Sequence, residues 1–368
     1  MTKKKVLLGM SGGIDSSVAA FLLQEQGYEV IGAYMNYWHD TSHIPPEEMH
    51  KLPENKCCST ESLFAARQIG AQLGFPVYTL NYQQNFKDTV VQKFLDSHES
   101  GVTPNPCVSC NIDIKFGDFF EKMKELGCDY LSTGHYAQII EDSSSHKLLL
   151  RAGVDTHKDQ SYFLYHLKQD QLKHILFPLG GMVKDEVREL AKHYGLKEIL
   201  NKKESQGVCF FPEESYVPFL ERTLPHIFKS GGNTTYHGKV MGKHKGLPRY
   251  TIGQRRGVDI GGFPEPIYVI DFDYEKNELI LGDNEELFKT QLQAKNFFFQ
   301  NKEALENKKM FARIRHLGKL QECIIKNPDL EIIIVDFIEP IRAITPGQTI
   351  VIYDEENNVL GGGEIINS

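Results

Sequence analysis

Glycines, hydroxyls and one carboxylate are concentrated near the start of the chain, in the segment Gly9–Val18, GMSGGIDSSV. An apolar run precedes it and an amphipathic stretch follows, which predicts a buried strand, a tight turn and a helix. Gly12 and Gly13 have no Cβ and a wide choice of backbone angles, so an anion could reach the main-chain amides at the helix N-terminus. We therefore expect this loop to bind phosphate. Three hydroxyls are expected as further donors, those of Ser11, Ser16 and Ser17.

A second group of reactive side chains is the Cys-x-x-Cys pair formed by Cys107 and Cys110. Pro104 and Pro106 precede the pair, which predicts a rigid loop that presents the thiols rather than a helix interior. The thiol pKa is often lowered in such pairs. Half of a zinc site and two incidental thiols are the alternatives. Zinc is disfavoured because the sequence contains no second Cys-x-x-Cys.

The chain contains seven cysteines. An odd number without an export signal argues against a disulfide framework and favours thiol chemistry or metal binding. Cys209 stands between Gly207-Val208 and two phenylalanines, and this local composition predicts a buried, inert thiol. No signal peptide and no run of roughly 20 apolar residues is present, so we expect a cytoplasmic protein without a membrane span. The cysteines interpreted as structural or incidental are Cys57, Cys58, Cys128 and Cys323.

Length and charge limit the classes of protein. With 368 residues, 40% hydrophobic and 24% charged, the chain is typical of a globular protein of two or three domains. Its net charge of -8 does not attract nucleic acid, so any nucleic-acid surface must be a local patch. The segment 231–258 has no acidic residue and six Lys or Arg, which suits a phosphate backbone; a solvated face is the alternative.

The periodicity of apolar residues predicts how these groups are positioned. Strands are predicted at 28–35, 77–80 and 130–133, and helices at 59–73, 116–126 and 183–194. Their alternation indicates an α/β domain with a doubly wound parallel sheet, in which ligands bind at the carboxyl ends of strands. Met35 and Gly134 follow or end such strands and are expected near a nucleotide, although Gly134 could equally be a turn glycine.

The rest of the chain predicts two smaller domains. Short β-rich runs separated by glycine turns near the C-terminus indicate a β-barrel. We predict the α/β domain with the glycine loop at 1–212, a small basic domain at 213–280 and the barrel domain at 281–368. Alternation in the run 310–315 places Arg313 and Arg315 on one face of a strand, where they could meet RNA.

Several motifs in this order resemble those of the bacterial tRNA-specific 2-thiouridylases, a family of PP-loop ATP pyrophosphatases. The similar segments span nearly the whole chain: GMSGGIDSS, TPNPCVSCN, STGHY, KDQSYFL, GVCF and GLPRYTIGQRRG. The resemblance implies sulfur transfer to C2 of the wobble uridine in tRNA. ATP with Mg²⁺ would adenylate the C2 oxygen, and a sulfur-donor protein would supply a cysteine persulfide. No Walker A lysine is present in the glycine loop, in agreement with this family.

Residues matching the family's motifs inherit expected roles. Cys110 and Cys209 would be catalytic, with the persulfide on Cys209, which overrides the local interpretation of Cys209 as inert. Asp15 is the candidate to orient magnesium. The ATP-binding residues implied are Gly9, Met10, Ser11, Gly12, Gly13, Ile14, Asp15, Ser16, Met35 and Gly134. The residues implied to contact the target base are Asn105, Pro106 and Cys107, and those implied to contact tRNA are Lys158, Asp159, Gln160, Arg315 and His316.

One departure from the family opens an alternative. Many relatives have aspartate where this chain has Cys107, so Cys107, Cys110 and Cys209 could together hold a 4Fe-4S cluster with one open iron. Two rival functions also remain. A PP-loop ligase or amidotransferase acting on a small molecule would have no use for the thiols, and a non-catalytic RNA-binding protein sensing ATP or redox state would release no AMP.

Overall fold

The computed structural model describes residues 3–41, 59–143, 145–200, 207–258, 260–262, 264–300, 302 and 309–367. Cys57, Cys58 and most of the segment 39–56 lie outside these ranges. The chain divides into two compact units. None of the helices in the described ranges is long and apolar enough to cross a bilayer.

The first unit comprises Met1–Gln92, Pro106–Glu214 and Glu356–Leu360. Its strands are β1 (Lys5–Gly9), β2 (Glu29–Asn36), β3 (Val77–Asn81), β4 (Tyr130–Ser132), the hairpin β5 (Ala137–Glu141) and β6 (Leu148–Ala152), and β7 (Ile175–Leu176). Five of them form a parallel sheet in the order β3-β2-β1-β4-β7. The predicted α/β fold with a parallel sheet is therefore confirmed.

Helices connect these strands. They are α1 (Ile14–Glu25), α2 (Thr60–Leu73), α3 (Gln83–Phe86), α4 (Gln92–Glu99, nearly all in the second unit), α5 (Pro106–Ser109), α6 (Phe119–Glu125), α7 (Gln169–Leu172), α8 (Lys184–His193) and α9 (Lys197–Leu200). A 3-10 helix covers Ser161–Leu164, and two π-helical stretches, Lys87–Val91 and Cys110–Asp118, continue α3 and α5. The helices predicted at 59–73 and 183–194 correspond to α2 and α8.

The buried core of the first unit fixes the edge of the sheet at which the carboxyl ends of the strands lie. Val6, Leu7 and Leu8 of β1 are fully buried, as expected for a central parallel strand covered on both faces. Phe21 of α1 stacks on Tyr194, directly after α8, with ring centroids 4.1 Å apart. Because β1, β2 and β4 are parallel and hydrogen-bonded in register, their carboxyl ends meet at one edge of the sheet.

The second unit comprises Lys93–Asn105, Ser215–Glu355 and Gly361–Ser368. It begins with α4, then α10 (Val217–Thr223), and has 3-10 turns at Pro225–Ile227, Leu247–Arg249 and Asn284–Leu287. A four-stranded sheet has the order β10-β11-β8-β9, and six further strands close a barrel. The sheet strands are β8 (Asn233–Tyr236), β9 (Lys239–Lys243), β10 (Tyr268–Asp273) and β11 (Glu278–Gly282). The barrel strands are β12 (Phe288–Phe299), β13 (Met310–Arg313), β14 (Gln321–Lys326), β15 (Ile333–Arg342), β16 (Thr349–Tyr353) and β17 (Val359–Asn367).

The predicted C-terminal barrel is confirmed, whereas one detail of its surface is wrong. Met310, Ala312 and Ile314 are buried as the alternation requires. Arg313, however, is also buried, with its guanidinium 5.1 Å from the centre of the Tyr353 ring. A closed barrel buries one face of each strand, and alternation places Arg313 on the other face. Arg313 is, however, the last residue of β13. Its guanidinium lies over an aromatic ring instead of facing solvent.

The basic segment 231–258 is more folded than its composition suggested. Leu247, Tyr250 and Val258 belong to a buried cluster of the four-stranded sheet, although Lys239 and Lys243 remain exposed. Arg249 pairs with Glu221. The basic side chains of this segment therefore belong to a small folded domain with a core of its own. The boundaries 1–212, 213–280 and 281–368 stay a prediction.

Candidate functional site

The glycine loop between β1 and α1 has the geometry that its sequence predicts. Gly12 has φ +71°, in the left-handed region, and an added Cβ would lie 2.1 Å from the Ser62 carbonyl oxygen. Gly13 is the N-cap of α1 in an extended conformation, so no cap side chain stands at this helix terminus. The start of α1 therefore offers backbone amides and the positive end of a helix dipole to an anion.

The hydroxyls of the loop mostly hold its shape. Ser16 Oγ and Ser17 Oγ both donate to the Gly13 carbonyl, at 3.2 and 2.9 Å, and Ser16 Oγ accepts from the Ser11 amide. Ser17 is fully buried. The expectation that the Ser17 hydroxyl is a phosphate donor is therefore wrong, because this hydroxyl already donates to the Gly13 carbonyl and holds the loop against the helix.

Asp15, in the first turn of α1, is held by two groups that the motif did not suggest. Its Oδ1 accepts from the Tyr136 hydroxyl and from Lys184 Nζ, each at 2.7 Å. Tyr136 belongs to the STGHY segment noted above, but nothing in the local sequence around Lys184 marks it as a site residue. The pairing joins residues 169 positions apart in the chain, beyond the reach of any sequence pattern.

Met35 and Gly134 lie where the nucleoside was expected, at the carboxyl ends of β2 and β4. Gly134 has a structural reason of its own: an added Cβ would be 3.0 Å from the Asp15 carbonyl carbon and from the Ser16 amide nitrogen. A side chain there would push β4 away from the glycine loop. The close approach of two backbones explains Gly134 better than a simple turn does, and it leaves nucleoside contact a prediction.

The Cys-x-x-Cys pair is helical, so the rigid-loop prediction is wrong. Pro106 starts α5, and Cys110 begins the π-helical stretch that follows. Proline is favoured in the first turn of a helix because it has no amide hydrogen to be satisfied there. The Asn111 side chain donates to the Cys107 carbonyl at 2.9 Å. Cys107 is half-buried and Cys110 is buried.

Lys115 connects the Cys110 helix to the strand edge that carries Gly134. Its ammonium lies 3.5 Å from His135 Nε2, and His135 Nδ1 is 2.6 Å from Thr133 Oγ1. Burial, with the Lys115 charge as a second cause, holds the pKa of His135 well below its usual value. The imidazole is therefore neutral at physiological pH. It accepts from Lys115 and donates from Nδ1 to the threonine hydroxyl.

Cys209 is half-buried, whereas the adjacent Phe210 and Phe211 are buried. The interpretation of Cys209 as buried is therefore wrong, because the phenylalanines and not the thiol fill the core, and its reactivity stays a prediction. The Phe210 ring lies 6.0 Å from that of Phe86 in α3. Asn85, also in α3, donates to Asp118 at the end of the Cys110 helix. Both cysteine segments thus pack against the same short helix.

Other cysteines have surroundings that suppress reactivity. Burial raises the pKa of the Cys128 thiol, and burial together with Glu322 raises the pKa of Cys323 to about 12. Across the described ranges, the one group of three close metal-type ligands is His237, Asp283 and Glu286 on the second unit. Cys107, Cys110 and Cys209 do not form such a group, so a single zinc ion remains disfavoured.

The residues implied to contact the base and the tRNA are divided between the units. In the first unit, Asp159 is buried and accepts from the amides of Gly153 and Ser161 at 3.0 Å each, while Gln160 Oε1 accepts from the Tyr136 amide at 3.1 Å. Asp159 and Gln160 thus shape the loop that follows Lys158. Whether this loop meets tRNA stays a prediction.

The second unit contains Arg315, His316 and, of the implied base contacts, Asn105 alone. Arg315 lines a cleft of about 260 Å³ on the barrel together with Lys319 and Arg342. The chain leading to Asn105 is fixed to the barrel, because Gln348 Nε2 donates to the Thr103 carbonyl at 2.8 Å. Pro106, by contrast, begins α5 in the first unit.

Comparison with known proteins identifies the family. Three family models match in sequence: the tRNA methyl transferase HUP domain at 4–213, the tRNA methyl transferase PRC-barrel domain at 218–283 and the aminomethyltransferase beta-barrel domain at 289–365. The chain is 45% identical over 362 residues to tRNA-specific 2-thiouridylase MnmA 1 of Caldanaerobacter subterraneus subsp. tengcongensis, covering 98% of this chain and 97% of the relative. It is 43% identical over 366 residues to tRNA-specific 2-thiouridylase MnmA of Clostridioides difficile, covering 99% of each. At such identity over full length, the chain belongs to the tRNA-specific 2-thiouridylase family of the MnmA type, within the PP-loop superfamily.

Proposed function

We propose that the protein is an ATP-dependent tRNA-uridine 2-sulfurtransferase that converts the wobble uridine to 2-thiouridine. One observation supports the proposal most: Cys110 and Cys209 lie in the same compact unit as the glycine loop, on segments that both contact α3. A binding protein that only sensed ATP would need no pair of thiols there. The relatives' names agree with this chemistry.

The first step activates a poor leaving group. The C2 oxygen of uridine attacks the α-phosphorus of ATP as N3 loses its proton, so an O–P bond forms and the bond to pyrophosphate breaks. The departing pyrophosphate is anionic, and the amides at the start of α1 stabilise it. Mg²⁺ would neutralise part of the phosphate charge when bound. Asp15 would hold the ion through its second carboxylate oxygen, since Mg²⁺ prefers oxygen ligands. The first oxygen, Oδ1, already accepts hydrogen bonds from Tyr136 and Lys184.

The second step transfers sulfur. A sulfur-donor protein loads Cys209 with a persulfide, whose terminal sulfur attacks C2 and forms the new C–S bond. The Cys110 thiolate then attacks Cys209 Sγ, which breaks the S–S bond and leaves a Cys110–Cys209 disulfide. AMP departs with the former C2 oxygen. Two electrons from the two thiols have reduced the transferred sulfur, and an external thiol must reduce the disulfide before the next turnover.

The target base has to leave the stack of the anticodon loop to reach the thiols. Single-stranded loops permit this at low energetic cost. Asn105, Pro106 and Cys107 are the proposed contacts of the flipped base. The rest of the tRNA is proposed to contact two further segments, which contain Lys158, Asp159, Gln160, Arg315 and His316.

A 4Fe-4S cluster is the second candidate for the sulfur carrier. Cys107 and Cys110 are three residues apart in helical backbone, so they share one helix face, and Cys209 would be the third thiolate. Sulfide bound to an open iron would then replace the persulfide. Metal analysis of anaerobically purified protein, together with the activity of a metal-free Cys107→Ser variant, separates the two carriers.

Product analysis tests the proposal. The protein is incubated with ATP, Mg²⁺, a persulfide donor and unmodified tRNA, and AMP and 2-thiouridine are quantified. We expect equal amounts of the two products, and neither with tRNA that has cytidine at the wobble position. AMP formed without tRNA would favour a ligase acting on a small molecule. Binding of tRNA without AMP release would favour a non-catalytic protein, and either result contradicts the proposal.

A further inference from the structure

A buried lysine stands beside the candidate magnesium ligand. Lys184, the first residue of α8, is only 6% exposed, and its ammonium donates to Asp15 Oδ1 at 2.7 Å. The same ammonium is 5.7 Å from the centre of the Tyr136 ring, whose hydroxyl donates to the same oxygen. The Lys184 backbone amide donates to Asp155 Oδ2 at 2.9 Å, which fixes the start of the helix.

The position of Asp15 creates an electrostatic problem that Lys184 can solve. A carboxylate in the first turn of α1 lies at the end of the helix where a polyphosphate would bind, and like charges repel. An ammonium at 2.7 Å cancels that charge locally. Because it is nearly buried, solvent and salt screen it far less than a surface cation.

The contacts also constrain which carboxylate oxygen is available. Two donors, Tyr136 just before β5 and Lys184 in α8, converge on Oδ1, so the carboxylate cannot rotate freely. The Asp15 side chain remains 34% exposed, whereas that of Lys184 is nearly buried. We propose that Lys184 is a positioning residue of the nucleotide site: it neutralises Asp15 toward ATP and orients its carboxylate toward a magnesium ion.

The inference rests on the ATP site of the proposed function and is tested by binding rather than turnover. Affinity for a non-hydrolysable α,β-methylene ATP analogue is measured by calorimetry with and without Mg²⁺. For Lys184→Met we expect affinity roughly 30-fold or more lower, the scale of leaving one charge of a buried pair without its partner. Lys184→Arg retains the positive charge and should therefore bind the analogue more tightly than Lys184→Met.

A double variant separates charge cancellation from mere support of the fold. If Lys184 acts through the charge of Asp15, Asp15→Asn combined with Lys184→Met should recover most of the magnesium-free affinity, while magnesium no longer strengthens binding. Lys192→Met is the matched control, since Lys192 is an exposed lysine of the same helix paired with Glu189. It should behave like the parent protein.

Each outcome has a definite reading. Normal affinity in Lys184→Met, or a double variant as weak as the single one, overturns the inference. If Lys184→Met does not fold, the double variant and Lys184→Arg still decide, because recovery of affinity in the double variant requires the coupling to Asp15. Failure of the parent protein to bind the analogue would instead contradict the proposed function.

Discussion

Replacing Cys209 by serine is expected to lower the rate of 2-thiouridine formation by at least about a thousandfold, the scale seen when a covalent nucleophile is removed. A hydroxyl cannot hold a persulfide, so no sulfur would be loaded. Cys209 lies outside the glycine loop, and ATP affinity should therefore remain that of the parent protein. The measurements are single-turnover thiolation of tRNA and binding of the ATP analogue.

Cys128→Ala is the matched control for loss of a thiol. Cys128 is buried, and that burial raises its thiol pKa, which makes it a poor nucleophile. Its replacement should leave the thiolation rate within about threefold, because the change removes one small buried group. A Cys209→Ser protein that thiolates tRNA at more than a tenth of the parent rate would exclude Cys209 as the sulfur carrier.

Gly12→Ala is expected to weaken ATP binding by at least about a hundredfold, as a 1 Å misplacement of positioning groups does. Two costs combine at this residue. Its φ of +71° is unfavourable for alanine, and the new Cβ would lie 2.1 Å from the Ser62 carbonyl oxygen. The glycine loop or the start of α2 must move, and the loop amides lose their alignment. Analogue binding and thermal unfolding measure the two effects.

Gly27→Ala separates strain from displacement. Gly27 also has positive φ, +89°, but a Cβ there meets nothing within 4 Å. We expect a loss of about 1–2 kcal/mol in the free energy of unfolding from the left-handed backbone alone, with unchanged ATP affinity. Gly12→Ala binding the analogue as tightly as Gly27→Ala would show that the loop does not hold the phosphates.

Features that depend on neighbouring residues could be predicted from the sequence. The strand, turn and helix around Gly12 follow from short-range apolar periodicity, and the closed barrel follows from repeated short β-rich runs. The error at Cys107 and Cys110 has a local cause as well. The rigid-loop prediction treats proline as incompatible with a helix interior, whereas Pro106 occupies the first turn of α5, where its missing amide hydrogen costs nothing.

Features that depend on tertiary packing could not be predicted. Composition predicts that Cys209 is buried, yet Phe210 takes the core position near Phe86 and the thiol is only half-buried. Lys184 reaches Asp15 from a distant helix, and only the fold brings the two together. The burial of Asp159 depends on two backbone amides that donate to its carboxylate, and its acidic side chain alone does not predict it.

The fate of the uridine oxygen tests the central chemistry most directly. Transfer RNA carrying ¹⁸O at C2 of the wobble uridine is thiolated in unlabelled water, and the AMP produced is analysed by mass spectrometry. Adenylation of the C2 oxygen predicts one ¹⁸O atom in each AMP formed per 2-thiouridine. Unlabelled AMP accompanying 2-thiouridine, with the label released to water, would contradict it.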